Sequence, residues 1–229
     1  MKIKWGIICL CLALLLAGCT SAPASAERKQ LEGIRIVLDP GHGGFDGGAR
    51  GKDSDVNEDS INLAIALYLC GDLEGLGADV VMTREEAKDL APSKKADLAK
   101  RREIIENSEA DFVISIHQNS HPNRSNSGPA VFYHEGSTAA EALAGAIQAK
   151  MNEELEPKRP RNALVGDYYI LKSGEMPCVI VECGFLSNSE EERLLQQPDY
   201  QKRVSRSIVI GVLDYLQNSL AYMEENIET

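Results

Sequence analysis

Apolar and polar residues alternate along this chain in segments that read as strands and helices in turn. Ile34 to Leu38 is a short, β-branched run stopped by Asp39-Pro40-Gly41, which predicts a strand and then a turn. From about Asp59 to Leu76, Ile61, Ile65, Leu69, Leu73 and Leu76 recur at three- and four-residue steps, which predicts one apolar helix face, ended by Gly75 and Gly77. Further strands are expected at Asp79 to Met82, Asp111 to Ile116, Gly128 to Tyr133 and Pro177 to Val181, and further helices at Ser93 to Glu106 and Ser137 to Leu155. Ser189 with Glu192 reads as a capping box opening the closing helices, which run to about Leu220 with an interruption near Pro198. Glu156 to Ser173 carries no clear period and is expected to hold a loop over the site. This order predicts an α/β fold: a single three-layer domain with a mostly parallel central sheet flanked by helices on both faces.

The N-terminus has a different pattern. Lys2 and Lys4 precede an uncharged stretch, Trp5 to Ala17, long enough for an export signal and shorter than a spanning helix. Leu16-Ala17-Gly18-Cys19 resembles the lipobox of bacterial lipoproteins, which makes Cys19 the expected lipidated mature N-terminus. Cleavage after Ala24-Ser25-Ala26 and retention as a short anchor are the alternatives, and all three place the domain outside the cytoplasm. The expected organisation is a lipoprotein-type signal peptide at 1–18, a lipidated cysteine and tether at 19–32, a catalytic domain at 33–220 and a C-terminal tail at 221–229.

Of the 229 residues, 43% are hydrophobic and 26% charged, enough for a packed core. The net charge of −11 becomes −13 without residues 1–18, which carry two lysines and no acids, so there is no basic footprint for nucleic acid. Aromatic residues make up only 5%, so contacts to glycan are expected to rely on polar groups. Cys70, Cys178 and Cys183 read as small buried residues outside any disulfide; the last two, five apart in a strand, should point to opposite faces.

Candidate chemistry collects where strands of such sheets end. His42 follows IRIVLDPG, His117 ends DFVISI, Glu182 ends PCVIV, and Glu58 opens the first helix. Two imidazoles and one carboxylate make a His2Glu zinc set with the fourth position open, as catalytic sites require. The glycines of GHGGFDGG lack the Gly-Lys-Ser/Thr or GxGxxG context of a phosphate cradle. His121 and His134 read as structural, and Arg84, Arg101 and Arg102 as solvated or structurally paired, with a grip on substrate carboxylates as the alternative.

The strings VLDPGHGGFDGGARG, EDSINLAIAL, VVMTR, FVISIHQNS and VIVECGFLSN occur in the order and approximate spacing of the zinc-dependent N-acetylmuramoyl-L-alanine amidases, the Amidase_3 family, and the chain resembles that family over residues 33 to 219. DYYILK before the last block resembles most the germination-specific spore-cortex members. The resemblance implies one Zn2+ per chain held by His42, Glu58 and His117, with Glu182 as the catalytic carboxylate. It implies peptidoglycan as substrate, cut between the lactyl carbonyl of N-acetylmuramic acid and L-alanine, and in spores a step toward muramic lactam and germination. Asp39 and Asn119 are candidates to support the histidine rings and fix their tautomers, turn formation being the other reading. Departures are Cys183 and Asp59, where many members carry other residues. The implied setting is extracytoplasmic, in the cell wall or the spore intermembrane space, with a membrane lipid anchor, no nucleic acid, and an activating protein partner left open. The competing readings are a general vegetative cell-wall amidase, a non-catalytic cell-wall-binding lipoprotein, and a cysteine hydrolase using Cys183.

Overall fold

A computed structural model describes residues 29–227; the signal segment and Cys19 lie outside them. Strands β1 (Arg35–Pro40), β2 (Asp79–Met82), β3 (Phe112–Asn119), β4 (Ala130–Tyr133), β5 (Leu164–Val165) and β6 (Cys178–Phe185) form one sheet in the order β2-β1-β3-β6-β4-β5. The pairings are parallel except β4 with β6. Helices α1 (Glu58–Gly75), α3 (Thr138–Leu155) and α5 (Pro198–Ile227), with the short α4 (Ser189–Leu195), and on the other side α2 (Lys94–Glu106) complete the fold.

Alternate strand residues go to opposite faces, and the two cores follow from that. Ile36, Leu38, Ile114, Ile116, Val179 and Val181 pack with Ile61, Ile65, Leu69, Leu143, Ile147, Val204 and Ile208 of α1, α3 and α5. Val37, Val113 and Ile180 face a thinner layer made of Ile105 from α2 and Ile170 and Leu171 from a 3-10 turn, Ile170–Lys172. This is the three-layer arrangement expected from the sequence. The thick side is packed close: a Cβ at Gly211 of α5 would lie 2.5 Å from Ile147 Cα of α3. Truncating one of its fully buried isoleucines or leucines to alanine would cost about 2–5 kcal/mol. Cys178 and Cys183 join opposite cores and, with Cys70, are free thiols.

Several boundaries differ from the sequence reading. β3 and β6 continue past Ile116 and Val181, so His117 and Glu182 lie within strands; their polarity imitates a strand end, but the ladder goes on to the Asn119–Phe185 pair across a bulge. The capping box is replaced by Asn188, whose side chain accepts from the N–H groups of Glu190 and Glu191. Glu192 reaches instead to the segment between β1 and α1, accepting from the N–H groups of Lys52, Asp53 and Ser54. α5 continues to Ile227, so 221–227 is helix and no separate tail. The segment Glu156 to Ser173 contains β5 and the 3-10 turn.

The two ends of α1 have different neighbours. Its first turn, at Glu58, lies at the C-terminal ends of β1 and β3, where Gln118 N–H donates to the Glu58 carboxylate. At its far end the Leu76 carbonyl accepts from Leu31 N–H, where the described chain begins.

Candidate metal centre and active site

The thin face of the sheet stays open at the C-terminal strand ends, and the candidate residues converge there. His42 sits two residues beyond β1 with φ 62°, a left-handed backbone that a non-glycine residue adopts only under constraint. Two buried guanidinium groups supply it. Arg101 donates to the carbonyls of Pro40 (2.7 Å) and His42 and to Asp39 and Asp97. Arg84 donates to the carbonyls of Pro40 (2.9 Å), Gly41 (3.0 Å) and Asp59 (2.9 Å), tying the His42 loop to the start of α1. Both arginines are therefore structural. Gly41 is required by close approach: a Cβ there would stand 2.1 Å from Cε1 of His117.

Nε2 of His42, a carboxylate oxygen of Glu58 and Nδ1 of His117 form a compact donor set. Oε1 of Glu58 is 2.9 Å from His117 Nδ1 and 3.4 Å from His42 Nε2, and one ligand atom from each residue lies within 4.8 Å of the others. The Glu58 carboxylate, 3% exposed, also accepts from Ala49 N–H at 2.7 Å and Gln118 N–H at 3.0 Å. Burial alone would raise its pKa, but the two imidazoles outweigh that and hold it far below the usual carboxylate range. His42 is the converse: burial would lower its pKa, and Glu58 and Asp46 together raise it. Two nitrogens and an oxygen arranged this way suit zinc, with a side left open to the cavity.

Glu182 is the register partner of His117 on the adjacent parallel strand, so both side chains leave the same face. Its Oε2 is buried without a hydrogen-bond partner, and burial, opposed by His117 and reinforced by the charge of Glu58, pushes its pKa up to about 7. A carboxyl group with that affinity can both take and return a proton near neutrality. A cavity of about 330 Å³ joins it to the three donors.

The support candidates fare differently. Asp39 makes no hydrogen bond to either histidine; it accepts from Thr83 Oγ1, Ser115 Oγ and Arg101, because the guanidinium is the stronger partner in reach. Asn119 contributes its backbone, the carbonyl accepting from Leu186 N–H, and its side chain does not bond the rings. Asp46 does, with Oδ2 3.0 Å from His42 Nδ1; a carboxylate four residues after a candidate ligand was the available signal. Tyr168, Tyr169 and Ile170 form a wall of the cavity, so the segment without a period does lie over the site and supplies two exposed aromatic rings near it. His121 accepts from Asn123 N–H in a turn. Cys183 is fully buried in the thick core with its thiol pushed far up by burial, which removes it as a nucleophile.

Residues 36–214 match the family model described as N-acetylmuramoyl-L-alanine amidase. The germination-specific N-acetylmuramoyl-L-alanine amidase of Bacillus subtilis is 38% identical over 193 residues, 81% of either chain. The B. subtilis protein LytC, an N-acetylmuramoyl-L-alanine amidase, is 30% identical over 207 residues, covering 88% of this chain and 40% of its own. Among solved structures, the CwlD amidase from Clostridioides difficile, in complex with the GerS lipoprotein, superposes with a TM-score of 0.76 at 35% identity, over 80% of this chain and 98% of that one. The catalytic domain of CwlV, an amidase from Bacillus (Paenibacillus) polymyxa, gives 0.73 at 31% identity, over 80% and 98%. The chain belongs to the Amidase_3 family and is an N-acetylmuramoyl-L-alanine amidase.

Proposed function

We propose that His42, Glu58 and His117 hold one zinc ion, that Glu182 is the proton-transfer group, and that the substrate is spore-cortex peptidoglycan. Zinc bound there would polarise the scissile carbonyl and acidify the attacking water. Glu182 takes the water proton as the carbonyl is attacked and returns it to the L-alanine nitrogen, which leaves poorly unless protonated. Arg84 and Arg101 keep the His42 loop fixed during this cycle, so no reorganisation is needed at the moment of reaction. The observation that carries the reading is the pairing of Glu182, whose Oε2 is buried without a hydrogen-bond partner, with a His-Glu-His donor set across one cavity.

The cortex assignment is supported by similarity to the germination-specific amidase, and a partner is suggested by the complex in which the CwlD structure was solved. The lipoprotein signal at 1–18, lipidation of Cys19, the tether to residue 32 and an extracytoplasmic membrane-anchored location rest on the sequence pattern alone. The test is metal analysis joined to mass spectrometry of peptidoglycan fragments for wild type and Glu182→Gln. About one zinc in each, with alanine-headed stem peptides released only by wild type, supports the assignments. Equal release from vegetative wall and cortex would reassign the substrate, and release by Glu182→Gln would reassign the base. Zinc uptake without release by wild type, even with cell extract added, would favour a non-catalytic wall-binding lipoprotein.

A further inference from the structure

His42 and His117 face Glu58 with different nitrogens, and only one of the rings has a carboxylate behind it. Oδ2 of Asp46 lies 3.0 Å from His42 Nδ1, leaving Nε2 directed at Glu58. His117 offers Nδ1, and among the described residues no carboxylate is hydrogen-bonded to its other nitrogen. Asp46 is itself held. Its main chain exchanges hydrogen bonds with Gly43 (2.9 and 3.1 Å), Lys94 Nζ lies 3.0 Å from the same Oδ2, and Gly48 N–H is 3.4 Å from Oδ1.

From this arrangement we infer that Asp46, backed by Lys94, is a positioning residue that selects the nitrogen His42 presents to the metal. The inference rests on the zinc reading of His42, Glu58 and His117. A carboxylate accepting from Nδ1–H holds neutral imidazole in the tautomer whose free lone pair is on Nε2, and that nitrogen is the one aimed at Glu58. Lys94 reaches the same oxygen from the first turn of α2, so the ring is supported by a relay from cavity rim to ligand. Arg101 fixes the backbone of His42 while Asp46 fixes its ring; the two act on different degrees of freedom.

The test uses the full chain in detergent, stripped of metal, with ¹⁵N-labelled histidine, at a pH where the ring's own ¹⁵N shifts report the neutral form. His42 in wild type is expected as the Nδ1–H tautomer, and Asp46→Ala is expected to shift it toward Nε2–H. Zinc affinity, measured against a chromophoric chelator, is expected to fall about 10- to 100-fold in Asp46→Ala, less in Asp46→Asn, and to stay unchanged in His121→Ala. The metal-free melting temperature of Asp46→Asn, at a partly exposed site, should stay close to wild type, which separates positioning from unfolding. The same tautomer in wild type and Asp46→Ala, or equal zinc affinity for the two, overturns the inference. If wild type takes up no zinc while the tautomer still depends on Asp46, the metal reading fails and the Asp46–His42 pairing stands.

Discussion

The Cα atoms of His117 and Glu182 are register partners on adjacent parallel strands, and this places a metal-ligand candidate beside the carboxyl group proposed to move protons. Neither side chain is on a mobile loop. The separation of their backbones is set by sheet spacing, about 4.8 Å between strands. Removing the carboxylate while keeping its shape should therefore remove the proton transfer and leave the metal ligands in place. Glu182→Gln is expected to lose about 10²- to 10⁴-fold in kcat with zinc content unchanged. Loss of zinc in that variant would place Glu182 among the ligands instead.

Glu182 also makes a prediction about stability. Burial raises its pKa to about 7 in the folded chain, against an ordinary 4.5. Between these values the folded state keeps a proton that the unfolded state has released, so metal-free stability falls as pH rises across that window. Glu182→Gln should then be more stable than wild type by about 3 kcal/mol at pH 8, and equal to it near pH 4. Urea titrations of the two metal-free proteins at both pH values measure the difference; a gap that does not vary with pH would mean that the carboxyl group is ordinarily solvated.

A methyl group at residue 41 has nowhere to go. In Gly41→Ala, Cβ would stand 2.1 Å from Cε1 and 2.2 Å from Nε2 of His117. The imidazole must rotate or the His42 loop must shift, and zinc affinity is expected to drop more than about tenfold. Chelator competition reads this directly, and retention of wild-type affinity would show that the loop adjusts freely.

Arg101 is 2% exposed and faces two carboxylates, Asp39 and Asp97. Asp39 keeps a pKa below the ordinary value because Arg101, with Ser115 and Thr83, outweighs the effect of burial. Arg101→Met would strand both acids, at a cost of about 3–5 kcal/mol in chemical denaturation. A smaller loss, under about 1 kcal/mol, would mean water replaces the guanidinium.

Tyr169 borders the cavity, is 47% exposed, and has the Arg102 guanidinium over one side of its ring. Tyr169→Ala should raise KM for polymeric peptidoglycan about fivefold, the worth of one aromatic contact, with kcat and zinc content close to wild type. A fall in kcat at constant KM would instead tie this wall to proton transfer.

Local pattern carried the layers of the fold well, because alternating burial in β1, β3 and β6 and the helical repeat of α1 are properties of contiguous residues. His42, Glu58, His117 and Glu182 were also readable as a set, through ordered motifs rather than through spacing. What escaped depends on residues far apart in the chain. Glu192 looked like half of a capping box, since Ser-x-x-Glu fits that local pattern, yet its carboxylate serves N–H groups some 140 positions away. Asp39 looked like a histidine partner because it is three residues from His42, and is claimed by Arg101 across 62 positions. Tyr168 and Tyr169 lie in a segment shaped by contacts with β4, α2 and the metal-site wall, and no period of its own marks it.

Helix α1 separates the donor set at Glu58 from the point near Leu76 where Leu31 joins the body, a rise of about 27 Å over its 18 residues. If residue 19 carries the lipid, the linker would meet the body at the pole away from its mouth, with the length of α1 between the attachment point and the catalytic opening. The greatest working depth would be the height of the body added to the span of the linker, so shortening that linker should bring in the outermost layer of wall that is cut while leaving turnover of soluble fragments unaltered.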